Sequence, residues 1–277
     1  MQVKVTILSD NSAGPGLFVA EHGWSALLDA GGHQVMLDAG QGKATIPNAD
    51  ALGLDLRAVE AIVLSHGHFD HTAGLPALIS RTGPKPLFLH PDALEPKYRK
   101  FGPVELFIGM PHALSALEAW GAPLRVERGP CEVVPGVWTT GEVKRRFGAA
   151  QGDADLVVRR DGEVIPDPLA DDQSLVVRGD DSMVILLGCC HAGLANTLTA
   201  ARELTGLQRI KAVIGGSHLG FLSDEQAQKE LEQLGKMEPE LLVLGHCTGP
   251  VAASHLHHDL GEGFRFCHTG LSLQFDL

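Results

Sequence analysis

The 277-residue sequence predicts an α/β protein built as a four-layer αβ/βα sandwich, with two mixed sheets face to face and helices outside. Short apolar runs separated by Gly, Asp and Asn fill the first sixty residues, strand and helix patterns then alternate, and the same order recurs in the second half. The composition, with 44% hydrophobic and 20% charged residues, 33 Gly and 16 Pro, is that of a globular chain rich in turns.

The first half begins with strand patterns. The runs KVTIL, LFVA, SALLDA and QVMLDAG predict a meander, with Gly31 and Gly32 forming a hairpin turn. A strand AIVLS, a helix-like TAGLPALIS and a strand PLFLH follow. The first half therefore passes from paired strands to alternating strands and helices.

The second half repeats this order. VWTTGEV, DLVVRRDGEVI with a turn at Asp161 and Gly162, and SLVVRGDDSMVILLG predict paired strands. The strands MVILLG, AVIGG and LLVLG then alternate with three helices, and FRFCHTGLSLQF predicts one closing strand. These helices are expected through LANTLTAAREL, from Asp224 to about Leu234, and from about Val251 to Leu260, with a Ser223/Gln226 capping box and a stop at Gly235.

We expect residues 1–277 to form a single domain of two pseudo-halves. The best boundary between them is the stretch 147–173, which is rich in Gly, Asp and Pro. No linker or low-complexity segment interrupts the pattern.

The charge balance narrows the classes of partner. With 22 Lys+Arg against 34 Asp+Glu, the net charge of −12 lacks the general attraction that binds nucleic acid or anionic lipid. We therefore expect a small-molecule substrate, with neither nucleic acid nor membrane as a partner. Five scattered cysteines without a CxxC pair favour a reducing compartment, and no apolar stretch or signal-peptide pattern is evident, so the expected location is cytoplasmic.

Four apolar strand patterns run directly into a histidine. They end at His66, His191, His218 and His246. Because residues beyond the carboxyl ends of adjacent parallel strands share one rim of a sheet, we expect these four side chains to converge.

The segment from His66 to His71, HGHFDH, carries the strongest signal. It packs three imidazoles and the Asp70 carboxylate into six residues on one strand-to-helix loop. Such nitrogen and oxygen donors suit zinc, iron or manganese, and this crowding of ionisable groups is hard to explain as packing. The sequence therefore predicts a metal site here.

This HxHxDH motif resembles that of the metallo-β-lactamase superfamily. The resemblance implies an αβ/βα sandwich that binds two divalent ions, zinc first and manganese or iron as alternatives. It places His66 and His68 on one ion, and Asp70 and His71 on the other, joined there by the final histidine, His246.

The resemblance extends along nearly the whole chain. EHGWSALLDA, VMLDAGQG, IVLSHGHFDHTAGL, TTGEV, GCCHAGLANT, VIGGSHLG and LGHCTG are similar to the branch of 7,8-dihydropterin-6-methyl-4-(β-D-ribofuranosyl)aminobenzene 5'-phosphate synthases, which serves methanopterin-type cofactor biosynthesis. Asp38 matches an acidic residue that supports the metal loop, so we expect it to orient a ligand imidazole.

The sequence also departs from the superfamily pattern. Many members have a strand ending in Gly-Asp, whose Asp bridges both metals, whereas this chain reads Gly188-Cys189-Cys190-His191. We expect His191 to complete one coordination shell instead. The usual histidine of the third motif is missing from TTGEV, and His112 is a weak substitute. Cys190 and Cys247 are either thiolate ligands or, as we favour, small buried thiols.

The expected chemistry is metal-assisted hydrolysis of a small anionic ester, phosphoester or lactone, including pterin-like molecules, by a metal-bridging hydroxide. Asp70 and His218 are the expected catalytic side chains, although His218 is also a candidate ligand or substrate contact. Two basic clusters occur, Lys97–Lys100, which we interpret as a solvated face, and Lys144–Arg146, which follows TTGEV. Glu142, Arg145 and Arg146 are the candidate substrate-binding residues.

Three alternatives remain at this level. One is the pterin synthase itself. A redox enzyme of the di-iron kind would need a flavin partner domain, for which 277 residues leave no room. A non-catalytic sensing or structural module is disfavoured because the motif offers more donors than one structural zinc needs.

Overall fold

A computed structural model of the chain describes residues 1–147, 155–160 and 162–277. It has two seven-stranded mixed sheets, which confirms the predicted fold class. Part of the predicted boundary stretch and Asp161 of the predicted turn lie outside the described residues.

The first sheet runs in the order β18-β1-β2-β3-β4-β5-β8. Its strands are β1 (Gln2–Ser9), β2 (Ser25–Ala30), β3 (His33–Leu37), β4 (Ala61–Val63), β5 (Leu87–Leu89), β8 (Leu124–Val126) and β18 (Ser272–Asp276). Pairing is antiparallel from β18 to β3 and parallel from β3 to β8. The predicted hairpin turn at Gly31 and Gly32 joins β2 to β3, and both glycines have positive φ.

The second sheet mirrors the first, in the order β17-β16-β15-β14-β13-β10-β9. Its strands are β9 (Glu132–Val134), β10 (Val137–Thr139), β13 (Leu175–Arg178), β14 (Ser182–Leu186), β15 (Arg209–Gly216), β16 (Leu242–Gly245) and β17 (Phe264–Phe266). Pairing is antiparallel from β9 to β14 and parallel from β14 to β17. The parallel strands place the ends of β14, β15 and β16 on one rim, as the strand-end histidines require.

Apolar side chains on both faces of the sheets create the four layers. Alternate residues of β1 (Val3, Val5, Ile7) and of β14 (Val184, Leu186) share the core between the sheets, while Met183 and Ile185 face the outer core. Three helices lie on the first sheet: α1 (Thr45–Ala51), α3 (Leu75–Thr82) and α4 (Leu114–Ala119). Three others lie on the second sheet: α5 (Leu194–Thr205), α6 (Asp224–Gly235) and α7 (Pro250–Leu260). The short helix α2 (Phe69–Thr72) lies in the loop after β4. None of the described helices is long and apolar enough to cross a membrane.

The sequence anticipates four of the described α-helices, α3, α5, α6 and α7, but not α1, α2 or α4. The Ser223 side chain accepts the Gln226 amide and the Gln226 side chain accepts the Ser223 amide, so the predicted capping box is present. Gly235 is the last residue of α6 rather than a left-handed stop.

Two strand predictions are wrong. LFVA is irregular because its backbone turns back to hydrogen-bond the Asn48 side chain through Val19. The single closing strand is two strands, β17 and β18, which belong to different sheets. The break contains Gly270 with φ 88°, and it carries the chain back to pair with β1.

A four-stranded antiparallel sheet, which we call the side sheet, was not anticipated. It comprises β6 (Lys97–Phe101), β7 (Val104–Phe107), β11 (Leu156–Arg160) and β12 (Glu163–Pro166), in the order β12-β11-β6-β7. The interpretation of the Lys97–Lys100 cluster as a solvated face is wrong for Lys97. Its side chain is 1% exposed and forms ion pairs with Asp167 and Asp171, at 2.8 and 3.0 Å.

Candidate metal centre

The four strand-end histidines converge where the two sheets meet. His66 follows β4 of the first sheet, and His191, His218 and His246 follow β14, β15 and β16 of the second. Ring centroids are 5.0 Å apart for His66 and His191 and 4.2 Å apart for His191 and His218. The structure thus brings together the residues that the sequence singled out.

A first group of donors, which we call the first trio, comprises His66, His68 and His191. The Nε2 of His66 lies 2.9 Å from the Nδ1 of His68, and the His191 ring is 5.0 and 5.2 Å from these two rings. Burial, with neighbouring cationic groups, lowers the pKa of all three imidazoles well below the usual value, so their lone pairs are available. Both nitrogens of His191 are buried and have no hydrogen-bond partner among the described residues.

A second group, which we call the second trio, comprises Asp70, His71 and His246. The two Nε2 atoms of His71 and His246 are 3.1 Å apart, and Asp70 Oδ2 lies 3.7 and 3.5 Å from them. Two facing nitrogens of this kind repel each other unless a proton or a cation lies between them. The trio is therefore a buried set of donors directed at one point.

Bonds to the outer nitrogens fix this orientation. Asp38 Oδ2 accepts from His71 Nδ1 at 2.7 Å, as expected of this carboxylate, and also accepts the Ser65 hydroxyl at 2.6 Å. Asn11 Oδ1 accepts the Gly23 amide, so it also accepts from His246 Nδ1, at 3.0 Å. Each outer bond leaves Nε2 as the electron-pair donor toward the cluster, which is the arrangement found around metal-binding histidines.

Cys189 lies between the two trios, and sequence reasoning missed it. Its Sγ is 3.3 Å from the Nε2 atoms of both His71 and His246, and it belongs with His66 and His191 to another convergent set. The available signal was its position directly after Gly188, where the superfamily pattern has Asp. A Cβ at Gly188 would lie 2.1 Å from Ser65 Oγ, so only glycine allows the two loops to approach this closely.

The two cysteines that the sequence singled out, Cys190 and Cys247, have different surroundings. Cys190 packs into the outer core, with its Sγ 3.4 Å from the Thr197 hydroxyl, as expected of a small buried thiol. Cys247 Sγ accepts the His218 backbone amide at 3.2 Å and lies 3.3 Å from the Cys189 carbonyl oxygen.

The site also concentrates backbone strain. Four of the six non-glycine residues with positive φ in the described ranges lie here: Asp38, Cys190, His218 and His246. Such conformations cost of order 1 to 3 kcal/mol each, and they persist where the surrounding structure holds them for a function.

Asp171 and Asp172, which sequence reasoning also missed, hold the two loops that carry Gly67 and Ala192. Asp171 Oδ2 accepts the Gly67 amide at 2.8 Å and Asp172 Oδ2 accepts the Ala192 amide at 2.9 Å. Asp171 also binds Lys97 of the side sheet. One short segment therefore positions both loops and ties them to the side sheet.

A pocket of about 100 Å³ opens above the cluster. Its walls include His22, His218 and Phe221, with Arg99, Ile108 and Leu156 from the side sheet and its flank. The His218 ring stacks on Phe221 with centroids 4.8 Å apart, and the Arg99 guanidinium lies 5.5 Å from the same ring centroid. Arg99 belongs to the Lys97–Lys100 cluster, which the sequence predicts to be a solvated face. Sequence reasoning therefore missed Arg99 as a pocket residue.

The candidate substrate-binding residues do not line this pocket. Glu142 and Arg146 line a separate cleft, and Arg146 pairs with Glu203 there, at 3.0 Å between Nη2 and Oε2. Arg145 donates to the Leu169 carbonyl at 3.3 Å. His112 lies outside both trios and contacts the Ala73 carbonyl oxygen and Trp120.

Comparison with known proteins gives consistent matches. The metallo-β-lactamase superfamily model matches residues 19–246. The 7,8-dihydropterin-6-methyl-4-(β-D-ribofuranosyl)-aminobenzene-5'-phosphate synthase of Methanocaldococcus jannaschii is 26% identical, over 99% of this chain and 97% of that protein. The crystal structure of Tm1679, a metal-dependent hydrolase of the β-lactamase superfamily, superimposes with a TM-score of 0.84, 31% identity and 98% coverage of both chains. Zn²⁺-bound PqqB from Methylobacterium extorquens shares the fold, with a TM-score of 0.56 and 16% identity over 99% of this chain and all of that one.

Proposed function

Because the chain belongs to the metallo-β-lactamase superfamily, we propose that it is a dinuclear metal-dependent hydrolase of small anionic substrates. The observation that carries this proposal is the pair of buried donor trios beneath one pocket. Ring nitrogens face each other at 2.9 Å in the first trio and 3.1 Å in the second, and both nitrogens of His191 lack a hydrogen-bond partner among the described residues. Side chains buried in this way cost free energy unless a partner satisfies them.

The spacing of the donors fits metal ions. Tetrahedral zinc with nitrogen or oxygen ligands at about 2.0 to 2.2 Å separates those ligands by roughly 3.4 Å. The donor separation is 2.9 Å for His66 and His68, and the three separations within the second trio are 3.1, 3.5 and 3.7 Å. We assign His66, His68 and His191 to one ion, and Asp70, His71 and His246 to the other.

When bound, two divalent ions supply an activated water as nucleophile at neutral pH and polarise the bond under attack. The protein's own side chains hold the ions, move a proton and bind the substrate. Asp70 would hold the second ion with His71 and His246, His218 gives its proton to the leaving group, and Arg99 binds the anionic part of the substrate; all three side chains line the pocket. The apolar Ile108 and Leu156 limit water beside the reacting group.

A substrate panel tests the proposal. Metal-loaded protein is assayed on generic phosphodiester, phosphomonoester and lactone substrates, and we expect chelator-sensitive hydrolysis of at least one class. Absence of turnover with zinc, manganese and iron would contradict a hydrolase.

Arg99 offers a test of the anionic substrate. Loss of a charged hydrogen bond worth about 1.5 to 3 kcal/mol predicts that Arg99→Met lowers kcat/KM about 10- to 100-fold, mainly through KM. The matched control is Arg125→Met, an exposed arginine on β8, which does not line the pocket. Equal kinetics for the two variants would remove Arg99 from substrate binding.

The full-length similarity to the pterin synthase favours one alternative function. In that case the substrates are a dihydropterin that carries a leaving group on its 6-methyl carbon and a ribofuranosylaminobenzene 5'-phosphate, which displaces that group. The discriminating assay incubates both with metal-loaded protein and looks for the joined product by mass spectrometry. Product formation without hydrolysis of the generic panel would replace the hydrolase proposal.

A further inference from the structure

We propose that the Cys189 thiolate bridges the two metal ions, in the place where many relatives use a carboxylate. This inference rests on the proposed dinuclear site. It assigns a sulfur ligand to a centre for which the motif itself supplies only nitrogen and oxygen donors.

The position of the sulfur supports a shared ligand. Its distances of 3.3 Å to His71 Nε2 and His246 Nε2 compare with the roughly 3.5 Å that separates sulfur from nitrogen on tetrahedral zinc, given bonds of about 2.3 and 2.0 Å. On its other side, Cys189 converges with nitrogens of His66 and His191, with all donor atoms within 4.8 Å of one another. Among the described residues, Cys189 belongs to every convergent group of three metal donors.

The other carboxylates near the trios accept hydrogen bonds from backbone amides and side chains. Asp38 accepts the Ser65 amide and hydroxyl and His71 Nδ1, all on the outer side of the trios. Asp10 accepts the His246 amide, and Asp172 accepts the Ala192 amide. Asp70 belongs to the second trio alone. Among the described residues, Cys189 is therefore the side chain that converges with histidines of both trios.

The neighbouring cysteines provide internal controls. Cys190 is turned into the outer core against Thr197, and Cys247 contacts the His218 amide and the Cys189 backbone. Among the described residues, Cys190 belongs to no convergent set of metal donors, and Cys247 converges with Cys189 and His218 instead of with the histidines of either trio. A substitution at either position removes a thiol of similar burial without removing the proposed bridge.

A bridging sulfur also restricts the metal. Thiolates are soft ligands that favour zinc or iron over manganese, which prefers oxygen donors. We therefore expect the chain to retain zinc or iron in competition with manganese, and Cys189→Asp to weaken this discrimination.

X-ray absorption at the zinc edge of the zinc-loaded protein tests the bridge. We expect a zinc–sulfur shell at about 2.3 Å with one sulfur for each zinc, because a bridge serves both ions. The shell disappears in Cys189→Ser and Cys189→Asp, and it persists in Cys190→Ser and Cys247→Ser. Far-ultraviolet circular dichroism checks that each variant is folded, and the wild-type spectrum remains informative if a Cys189 variant is not.

The outcomes separate the two proposals. Two bound zinc ions without sulfur scattering would overturn the bridge and leave the dinuclear site standing. About half a sulfur for each zinc would indicate a terminal ligand, and a shell lost in Cys247→Ser but retained in Cys189→Ser would move the ligand to Cys247; both results overturn the bridge. A wild-type chain that binds none of zinc, iron and manganese would overturn the proposed function itself.

Discussion

At the scale of single residues, the site depends on which nitrogen each imidazole presents. Ser65, Asp38 and Asn11 contact the Nδ1 atoms of His66, His71 and His246, so that Nε2 faces the cluster in each case. Partners of this kind typically change metal affinity 10- to 100-fold when they are removed.

Asn11 gives the cleanest test of this orientation, because it is exposed and its loss leaves the core intact. We predict that Asn11→Ala weakens metal binding at the second trio about 10- to 100-fold, measured by competition with a chromogenic chelator. Asn11→Asp keeps an acceptor for His246 Nδ1 and should stay close to wild type. Equal affinity in both variants would show that this bond does not orient His246.

The sequence identifies those site residues that share a local signal. HGHFDH and the strand-end histidines could be found because a short motif, or a strand running into a polar residue, marks them. Cys189 resembles any buried thiol, and Asp171 acts through a bond to Gly67 more than one hundred positions away. Such long-range contacts carry no local pattern, so only the fold reveals them.

At the scale of elements, the side sheet is joined to the loop of His66–His71 by two sets of polar contacts. Lys97 binds Asp167 and Asp171, and Asp171 binds the Gly67 amide, while the Phe69 amide donates to the Ile108 carbonyl at 2.9 Å. The sequence predicted the hairpin of β11 and β12 but not its pairing with β6, since pairing between distant strands has no local signature.

Lys97→Met leaves Asp167 and Asp171 buried without their cation. We predict a loss of about 3 to 5 kcal/mol in the free energy of unfolding, measured with urea, because an uncompensated buried charge is costly. Lys100→Met on the same strand, where the side chain is partly exposed, should change it by less than about 0.5 kcal/mol. A similar change in the two variants would mean that the ion pairs of Lys97 with Asp167 and Asp171 contribute little to the free energy of unfolding.

Glu230 of α6 caps the first turn of α5 by accepting the Ala195 amide at 2.9 Å. Burial raises the pKa of this carboxyl, although its bonds to the Ala195 and Leu194 amides oppose the shift. The folded state therefore takes up the proton at higher pH than the unfolded state, and stability relative to a non-ionisable side chain rises as the pH falls toward 4.5.

We predict that the unfolding free energy of wild type, minus that of Glu230→Gln, increases between pH 7 and pH 5. Glu230→Ala should cost about 1 to 3 kcal/mol at either pH, since it leaves the Ala195 amide unsatisfied. Urea titrations at the two pH values measure both effects. A difference that is flat or falls with decreasing pH would contradict the buried carboxyl as its source.

At the scale of the whole molecule, the candidate metal donors come from both seven-stranded sheets. His66, His68, Asp70 and His71 follow β4 of the first sheet, and Cys189, His191 and His246 follow strands of the second. The presence of two sheets could be predicted because strand and helix patterns recur along the chain. The pairing of β18 with the first sheet could not be predicted, since its residues continue the strand pattern of β17.

Metal removal should therefore affect the whole fold. A ligand that binds only the folded state stabilises it by about 2.7 kcal/mol at 100 times its Kd. We predict that chelation lowers the free energy of unfolding by at least this amount in a single transition, detected by circular dichroism, and that zinc restores it. Unchanged stability after complete metal removal would show that the trios do not join the halves through metal.

The most direct test of the account is the metal content of protein purified without added metal, determined by elemental analysis. The account predicts about two equivalents for each chain, which fall to about one in His246→Ala, together with metal-dependent turnover. One tightly held equivalent or none, with no turnover after zinc, manganese or iron is restored, would contradict it.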